Sequence, residues 1–392
     1  MKYISRTVWI LSIVSLATDI ASEMLYPVMP VYLESIGFSV LLIGVLEGIA
    51  EAIAGLSKGY FGKWSDHSAR RVPFVQAGYT LSAISKPMLI LFVYPLWVFF
   101  ARTLDRFGKG IRTGARDAIL AQESTPGTKA KIFGFHRSMD TLGAALGPVF
   151  ALIYLYYNPG DYKTLFLIAV VPGLIAVITT LLLKEKHRQK TSSNATPGLF
   201  SFLKYWRQSP GEYRSLVSGL LVFALINSSD FFLLLKLKQD GVSDTLLITI
   251  YIFYNLVYAL CAFPLGIVAD KWGFKKMFVF GLMLFACVYL GMTLSSNLYV
   301  YFTLFFIYGV YASATEGTSK AWISTIVASK DTATAIGTFA GFQSICTLIA
   351  SSFTGLIWSL YGAMAAFLFT GIGMIILIVY FLVGVSAPAH SR

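Results

Sequence analysis

Apolar residues run along this chain in long unbroken blocks, neither alternating as in a half-buried strand nor confined to one face as in a surface helix. The stretch "LFLIAVVPGLIAVITTLLL" (165–183) is apolar on every side of a helix. A hydrocarbon core about 30 Å thick takes roughly 20 such residues in a helix. Twelve segments meet that length, at 7–33, 39–61, 74–93, 95–121, 133–157, 164–184, 215–236, 243–268, 277–295, 298–322, 334–360 and 362–386. Membrane barrels use short alternating strands, so these blocks exclude that architecture. The pattern predicts an all-α polytopic membrane protein. Its first segment reads as a retained helix rather than a signal peptide, because it carries Asp19 and Glu23 and lacks a small-residue cleavage site.

Composition agrees: of 392 residues, 56% are hydrophobic and only 13% charged, too little polar material to surface a soluble domain of this size. The net charge of +12 is unevenly spread. Basic runs follow the second, sixth and eighth segments ("KWSDHSARR", "KEKHRQK" through "KYWRQ", "DKWGFKK"), while the connections after the third, ninth and eleventh are nearly uncharged. The excess of Lys and Arg on one side places both termini and the 184–214 loop in the cytoplasm. "KLKQDG", after the seventh segment, runs against the trend. The basic charge is thus a topological bias with anionic lipid as its neighbour. Nucleic acid is not an expected partner, since no soluble domain presents a basic patch. Cys261, Cys287 and Cys346 fall singly within predicted spans and read as small packing residues, with no disulfide, metal or cofactor implied.

The polar stretch 184–214 divides the spans six and six, giving an N-terminal bundle 1–184, a linker 185–213 and a C-terminal bundle 214–392. A repeat supports the division. "GKWSDHSARR" holds Gly62, Asp66, Arg70 and Arg71; "GIVADKWGFKK" holds Gly266, Asp270, Lys275 and Lys276. One offset of 204 residues carries Gly62 to Gly266, Asp66 to Asp270, Arg71 to Lys275 and Arg116 to Lys320. Transporters are commonly built from such internal repeats.

These residues carry a resemblance. The two loops resemble the glycine–aspartate–basic-pair motif of the major facilitator superfamily, placed there after the second and eighth helices. Arg102 falls where that family keeps a membrane-embedded arginine, and "GAALGP" (Gly143, Gly147, Pro148) resembles the fifth-helix signature of its antiporter branches. "DRFGKGIRTGARDA", "SEMLYPVMP" and "FGFHRSMDTLGAALGP" resemble a bacterial subgroup whose substrates are mostly unassigned. The resemblance covers essentially the whole chain. It implies a monomeric, multi-pass transporter of the bacterial inner membrane, with loop motifs that stabilise one of two alternating states. Ala69 departs from the pattern, standing where Gly273 stands in the second copy.

The stretch "ARTLDRFGKGIRTGARDAIL" (101–120) is the body of the fourth span, although it holds seven charges. A charge at mid-bilayer costs at least about 2.5–3.5 kcal/mol and is seldom kept without a partner or a task. At 1.5 Å per residue from Pro95, Arg102 lies roughly 10 Å deep, Lys109 about 20 Å and Arg116 about 31 Å. The far end, Arg112, Arg116 and Asp117, is expected at the interface, with Asp66 latched to Arg116 and Asp270 to Lys320; the alternative is that each loop acid pairs with the bases of its own turn and caps a nearby helix end. Nearer the start, Arg102, Arg106 and Lys109 form one stripe, with Asp105 set to pair with Lys109 at i+4. That stripe needs acids. Asp19 with Glu23, and Glu47 with Glu51, each supply two on one helix face, while the fifth span adds His136, Arg137 and Asp140 and the third Lys86. Tyr26, ahead of the kinking Pro27 and Pro30, is a candidate cavity wall. The C-terminal half offers fewer groups: Asp230 and Glu316 as buried acids, with Asn227.

Charges of both signs suit proton coupling, because burial and a neighbouring base push a carboxyl in opposite directions. The expectation is therefore a proton-coupled secondary transporter of a zwitterionic or amphiphilic small molecule, with "GAALGP" favouring export by antiport. A metal ion, a metal chelate such as a siderophore, or an organic anion is the alternative cargo. No P-loop, G-x-S-x-G or H-E-x-x-H is present, and the four histidines are scattered, so neither an enzyme nor an ATP-driven pump is expected. A non-transporting receptor is the remote alternative.

Overall fold

The computed structural model describes residues 4–25, 40–92, 94–125, 127–186, 202–227, 230–294 and 297–384, together with Met29, Tyr32, Leu33, Gly37 and Gly198. Among the described residues regular structure is helical throughout: α1 Arg6–Glu23, α2 Val40–His67, α3 Val72–Leu91, α4 Pro95–Gln122, α5 Lys129–Tyr157, α6 Tyr162–Thr180, a short α7 Leu203–Gln208, α8 Gly211–Ile226, α9 Phe231–Gln239, α10 Asp244–Trp272, α11 Phe274–Gly291, α12 Leu298–Ile326 and α13 Thr332–Gly384. The twelve spans of a major facilitator fold are accounted for once two details are read. The seventh span is divided into α8, which ends before the extended Asn227, and α9, which begins at Phe231. The last two are joined as α13 and divided at Gly362, whose φ of 84° only glycine adopts freely.

Sequence explains the boundaries. Ser5 caps α1 by accepting from the Val8 amide, Asp161 caps α6 from Thr164, and Asn297 caps α12 from Tyr299. Proline opens α3 and α4, where its missing N–H costs nothing. Among the described residues six stretches are both long and apolar enough to cross a membrane by composition alone. The charge-rich α4 is not one of them, although it is 28 residues long. Its polar face must be met by other helices, because lipid offers charge nothing.

The chain divides into two compact units. The first comprises Met1–Glu123, Met139–Gln208 and Ala328–Gly341; the second, Ser124–Ser138, Ser209–Val327 and Phe342–Arg392. In the first, α4 packs along α3 and α2, and α6 along α1 and α3. One apolar core gathers Met24, Leu25, Leu89, Val98, Leu165 and Phe166. In the second, α12 packs between α10 and α11, around fully buried Phe278, Phe285, Tyr289 and Trp322. Large apolar side chains stay exposed on α6 (Leu167, Val171, Ile178) and α13 (Leu356, Ile376, Val383), as lipid-facing positions do.

Candidate functional site

Four of the charges of α4, Arg102, Arg112, Arg116 and Asp117, are buried, and Asp105 and Arg106 are half-buried. The Lys86 ammonium, on α3, donates to Asp105 Oδ1 at 2.7 Å and to Ser22 Oγ at 3.1 Å. Asp105 is therefore paired across helices, not with Lys109 at i+4 as the spacing predicts. Lys109 is exposed. The reason is distance in the fold: α3 and α4 touch along their length, so a buried lysine of α3 reaches the acid without the cost of burying a second cation. Arg102 is buried beside this pair and lines a cavity of about 10 Å³ with Ser22, Ser85, Lys86 and Asp105. That is room for about one water. Arg106 is half-buried and acts on Asp105 through space, as Arg102 does.

Further along α4, Arg112, Arg116 and Asp117 are all buried within the protein. Arg112 lies 4.4 Å over the Tyr79 ring and donates to Ser82 Oγ at 2.6 Å. Arg116 donates to Asp117 at 3.0 Å and to Ser15 Oγ at 3.4 Å. Its partners are inside the helix group, so the expected Asp66–Arg116 latch does not form. On α1, Asp19 and Glu23 are half-buried neighbours, and Ser15, one turn before Asp19, donates to Asp140 of α5. The "GAALGP" glycines make that contact possible. A Cβ on Gly143 would stand 2.5 Å from the Leu16 carbonyl oxygen, and one on Gly147 would stand 2.7 Å from the Met24 amide. Pro148 is buried next to them. Tyr26, with Pro27 and Pro30, lies outside the described residues, as do the side chains of Glu47 and Glu51.

The loop acids cap helix ends, the alternative to the latches that the sequence also offers. Asp66 pairs with Arg71 at 2.8 Å and accepts from the amide and hydroxyl of Thr334, at 2.7 and 3.0 Å, at the N-terminus of α13. Arg71 is buried and also donates to the carbonyl oxygens of Ala118 and Ser329 at 3.0 Å. In the second unit Asp270 accepts from the amides of Ala130 and Lys131, at 2.9 and 2.8 Å, at the N-terminus of α5. Lys320 is not its partner. The positive end of a helix with unpaired amides attracts a carboxylate as strongly as a surface lysine does, without ordering a long side chain. Offset 204 relates Ala130 to Thr334 just as it relates Asp66 to Asp270. The two caps are therefore images of one another, with the helices exchanged. Gly62 and Gly266 sit at these crossings, where a Cβ would come within 2.4 Å of the Ala333 carbonyl and 2.5 Å of the Ala130 carbonyl. The basic mates diverge: Lys275 donates to the Leu382 carbonyl at 3.0 Å, and Arg70 is exposed.

The second unit is aromatic where the first is charged. Tyr254 and Tyr308, and Tyr308 and Tyr311, pack with ring planes tilted by 42° and centroids 5.1 and 5.2 Å apart. Asn227, at the break between α8 and α9, donates to the Tyr311 hydroxyl at 3.3 Å. Asp230 precedes α9 without a side-chain capping bond and acts on Tyr254 and Tyr308 through space. Glu316, expected buried, has a side chain 48% exposed and pairs with Arg137 at 2.6 Å. Arg137 also donates to the Tyr258 hydroxyl at 2.6 Å.

Sequence reasoning missed Ser15, Ser22, Ser82, Thr334 and the tyrosines of α12. Ser15, Asp19, Ser22 and Glu23 share one helix face, a signal present in the spacing; Thr334 gives none, lying 268 residues from Asp66.

Comparison with known proteins closes the matter of kinship. The chain is 32% identical over 378 residues to an uncharacterized MFS-type transporter of Methanocaldococcus jannaschii, covering 93% of each. Its fold matches the crystal structure of the human organic anion transporter MFSD10 with a TM-score of 0.78 at 16% identity, covering 96% of this chain and 99% of that one. It matches the Escherichia coli fucose:proton symporter FucP with a TM-score of 0.79 at 12% identity, covering 97% and 98%. The model of the Major Facilitator Superfamily matches residues 11–253 and 216–392. A multi-pass membrane transporter and not an enzyme, this chain belongs to the major facilitator superfamily.

Proposed function

We propose that the chain is a proton-coupled secondary transporter that moves a small zwitterionic or amphiphilic molecule across the bacterial inner membrane by alternating access, in the direction of export. The observation that carries this reading is the charged network on α1, α3, α4 and α5, with Lys86 held between Asp105 and Ser22, Ser15 bound to Asp140, and Asp19 one turn from Glu23. Structural pairing alone needs one acid for each base. A carboxyl that must exchange a proton needs bases near it and a like charge beside it, and both are here. Export is supported by the close α1–α5 crossing at Gly143 and Gly147, the stretch that resembles the antiporter signature. Basic loops after α2, α6 and α10 support cytoplasmic termini. One observation favours an organic anion as cargo: Arg102 and Lys86 line the same small cavity with Asp105 as the acid there.

The test is transport by purified protein in proteoliposomes under an imposed pH gradient, screened over labelled zwitterionic amphiphiles and organic anions. At least one compound should accumulate against its own gradient, and a protonophore should abolish the accumulation. Glu23→Gln should lose the gradient-driven part and keep exchange. Transport indifferent to the pH gradient, with Glu23→Gln indistinguishable from the parent, overturns the reading.

A further inference from the structure

Three helix faces of the first unit enclose a cavity of about 560 Å³ that the charged network does not reach. On α5 its wall is Phe150, Ile153, Tyr157 and Asn158, spaced i, i+3, i+7 and i+8; on α6 it is Ile168, Val171 and Ile175, spaced i, i+3 and i+7. Each set is one stripe of a helix. The floor is Ile20 and Met24 of α1, about 100° around that helix from Asp19 and Glu23. None of the described residues lining the cavity is charged. The floor is recessed because α1 and α5 cross closely: a Cβ on Gly147 would stand 2.7 Å from the Met24 amide. A different stripe of α6, Leu165, Ala169, Gly173 and Ala176, is buried, which leaves the stripe through Val171 for this cavity.

Such a site takes hydrocarbon. Val171 and Ile175 are 56% and 49% exposed, and Phe150 and Ile153 are 44% and 54%, on two helices long and apolar enough to cross a membrane. A mouth lined in this way opens on lipid. Its depth is that of one leaflet. At 1.5 Å per residue the α6 stripe runs from about 9 to about 20 Å below Tyr162, and the α5 stripe covers about 12 Å. Half of a hydrocarbon core about 30 Å thick is about 15 Å.

The polar end is built as well. Tyr157 and Asn158 stand where α5 turns into α6, and tyrosines favour the level of the headgroups. On the same wall the Tyr154 hydroxyl donates to Asp161 Oδ2 at 2.8 Å, and Asp161 accepts from the Thr164 amide at 3.2 Å. The charge of Asp161 is thus committed to the cap of α6, while Lys163, two residues on, is exposed. An apolar slot one leaflet deep beside an exposed ammonium complements an anionic amphiphile of the bilayer itself. We propose that this cavity binds one acyl chain of an anionic phospholipid, whose phosphate pairs with Lys163. The chain fills the wedge between α5 and α6, and the lipid is then a fixed part of the first unit. The site goes beyond the coupled-transport reading and does not depend on it.

Photo-crosslinking tests the site without any transport. The full-length protein is reconstituted in phosphatidylcholine vesicles that hold a minor fraction of phosphatidylglycerol with a diazirine at the end of one acyl chain, and labelled peptides are mapped by mass spectrometry. Labelling of the peptides that hold Ile20, Met24 and Ile175 should saturate as the probe fraction rises. Labelling around Leu356 and Ile376 of α13, which face lipid without a cavity, should rise in proportion. Val171→Trp, which blocks the mouth with an indole, should abolish the saturable labelling and leave that of α13. Lys163→Gln should raise the half-saturating probe fraction about fivefold. Groove labelling that rises in proportion like that of α13 means bilayer contact only and overturns the site. An unchanged half-saturation in Lys163→Gln overturns the pairing with phosphate, and with it the choice of an anionic lipid. Saturation by a diazirine fatty acid at the same probe fraction as phosphatidylglycerol marks a tail site for free amphiphiles, and overturns the phospholipid. Should Val171→Trp fail to fold, Ile153→Trp blocks the same mouth from the α5 side, and saturable labelling that survives in it counts against the cavity.

Discussion

Removing the two loop carboxylates one at a time should have unequal effects, and the structure gives the ratio. Asp66 and Arg71 form an ion pair whose side chains are 5% and 2% exposed, and Asp66 also accepts twice from Thr334. Asp66→Ala strands a buried guanidinium, which by analogy with other broken buried pairs costs about 3–5 kcal/mol. Asp270 is half-buried and accepts only the Ala130 and Lys131 amides, at 2.9 and 2.8 Å. Water can replace part of what Asp270→Ala removes, so its cost is that of charge-assisted hydrogen bonds, about 1.5–3 kcal/mol. Scaled to a chain this long, each kcal/mol moves a thermal midpoint by roughly 1–2 °C. Unfolding followed by tryptophan fluorescence in one detergent should therefore give a drop for Asp66→Ala about twice that for Asp270→Ala. Arg71→Met added to Asp66→Ala should recover part of the loss, because it removes the orphaned charge. Equal drops for the two single variants, or a double variant worse than Asp66→Ala alone, would refute the reasoning.

Three further outcomes follow from local geometry. Lys86→Met should destabilise by about 3–5 kcal/mol, since Asp105 is then left buried without its cation, and Lys86→Met with Asp105→Asn should be milder; thermal midpoints of the three proteins decide it. Ala69 has φ +55° and Gly273 has φ +93°, so Gly273→Ala should cost about 1–3 kcal/mol. Ala69→Gly should leave the midpoint unchanged or raise it slightly, the relief of a left-handed alanine being partly offset by the freedom glycine gains when unfolded. Asp161 is held below the usual carboxylate range by its bonds from Thr164 and from the Tyr154 hydroxyl. A depressed value means its cap contributes above the unfolded carboxylate range and is lost as pH falls through the folded value. The stability difference between the parent and Asp161→Asn should thus be present at neutral pH and vanish in acid, as pH-scanned melts would show.

Helices were legible in the sequence because a membrane span needs only length and apolarity. The fourth span, expected over 95–121, is Pro95–Gln122, and the tenth, expected over 298–322, begins at Leu298. The seventh was expected unbroken over 215–236, but α8 ends at Ile226 before the extended Asn227 and α9 begins at Phe231. Its "NSSD" was the available signal, since Asn, Ser and Asp side chains compete with the backbone for the bonds a helix needs. The site was harder. Periodicity locates residues on a face of their own helix, which is why Arg102, Arg106 and Asp105 were found together. It does not identify the helix opposite, so Asp105 was matched to Lys109 on its own helix and not to Lys86 across the interface. The repeat misled in another way: an offset relates mates, not partners, and Arg116 and Lys320 are mates that bond to neither loop acid. Besides Arg71 and the Thr334 hydroxyl, what Asp66 and Asp270 hold is backbone amide, and a capping role read from the motif does not say which helix end is capped.

The two loop acids obey one rule. Each meets the amides at the start of a helix across a crossing that only glycine lets come so close: Gly62 where Asp66 meets α13, and Gly266 where Asp270 meets α5. Close backbones exclude water, which strengthens each bond and raises the cost of breaking it alone. Asp66 adds the buried Arg71 and the Thr334 hydroxyl to its amide bond, so the first crossing is held by more than the second. Helix ends held in this way part as units, because leaving any one of these polar groups buried without its partners costs more than releasing them together into water.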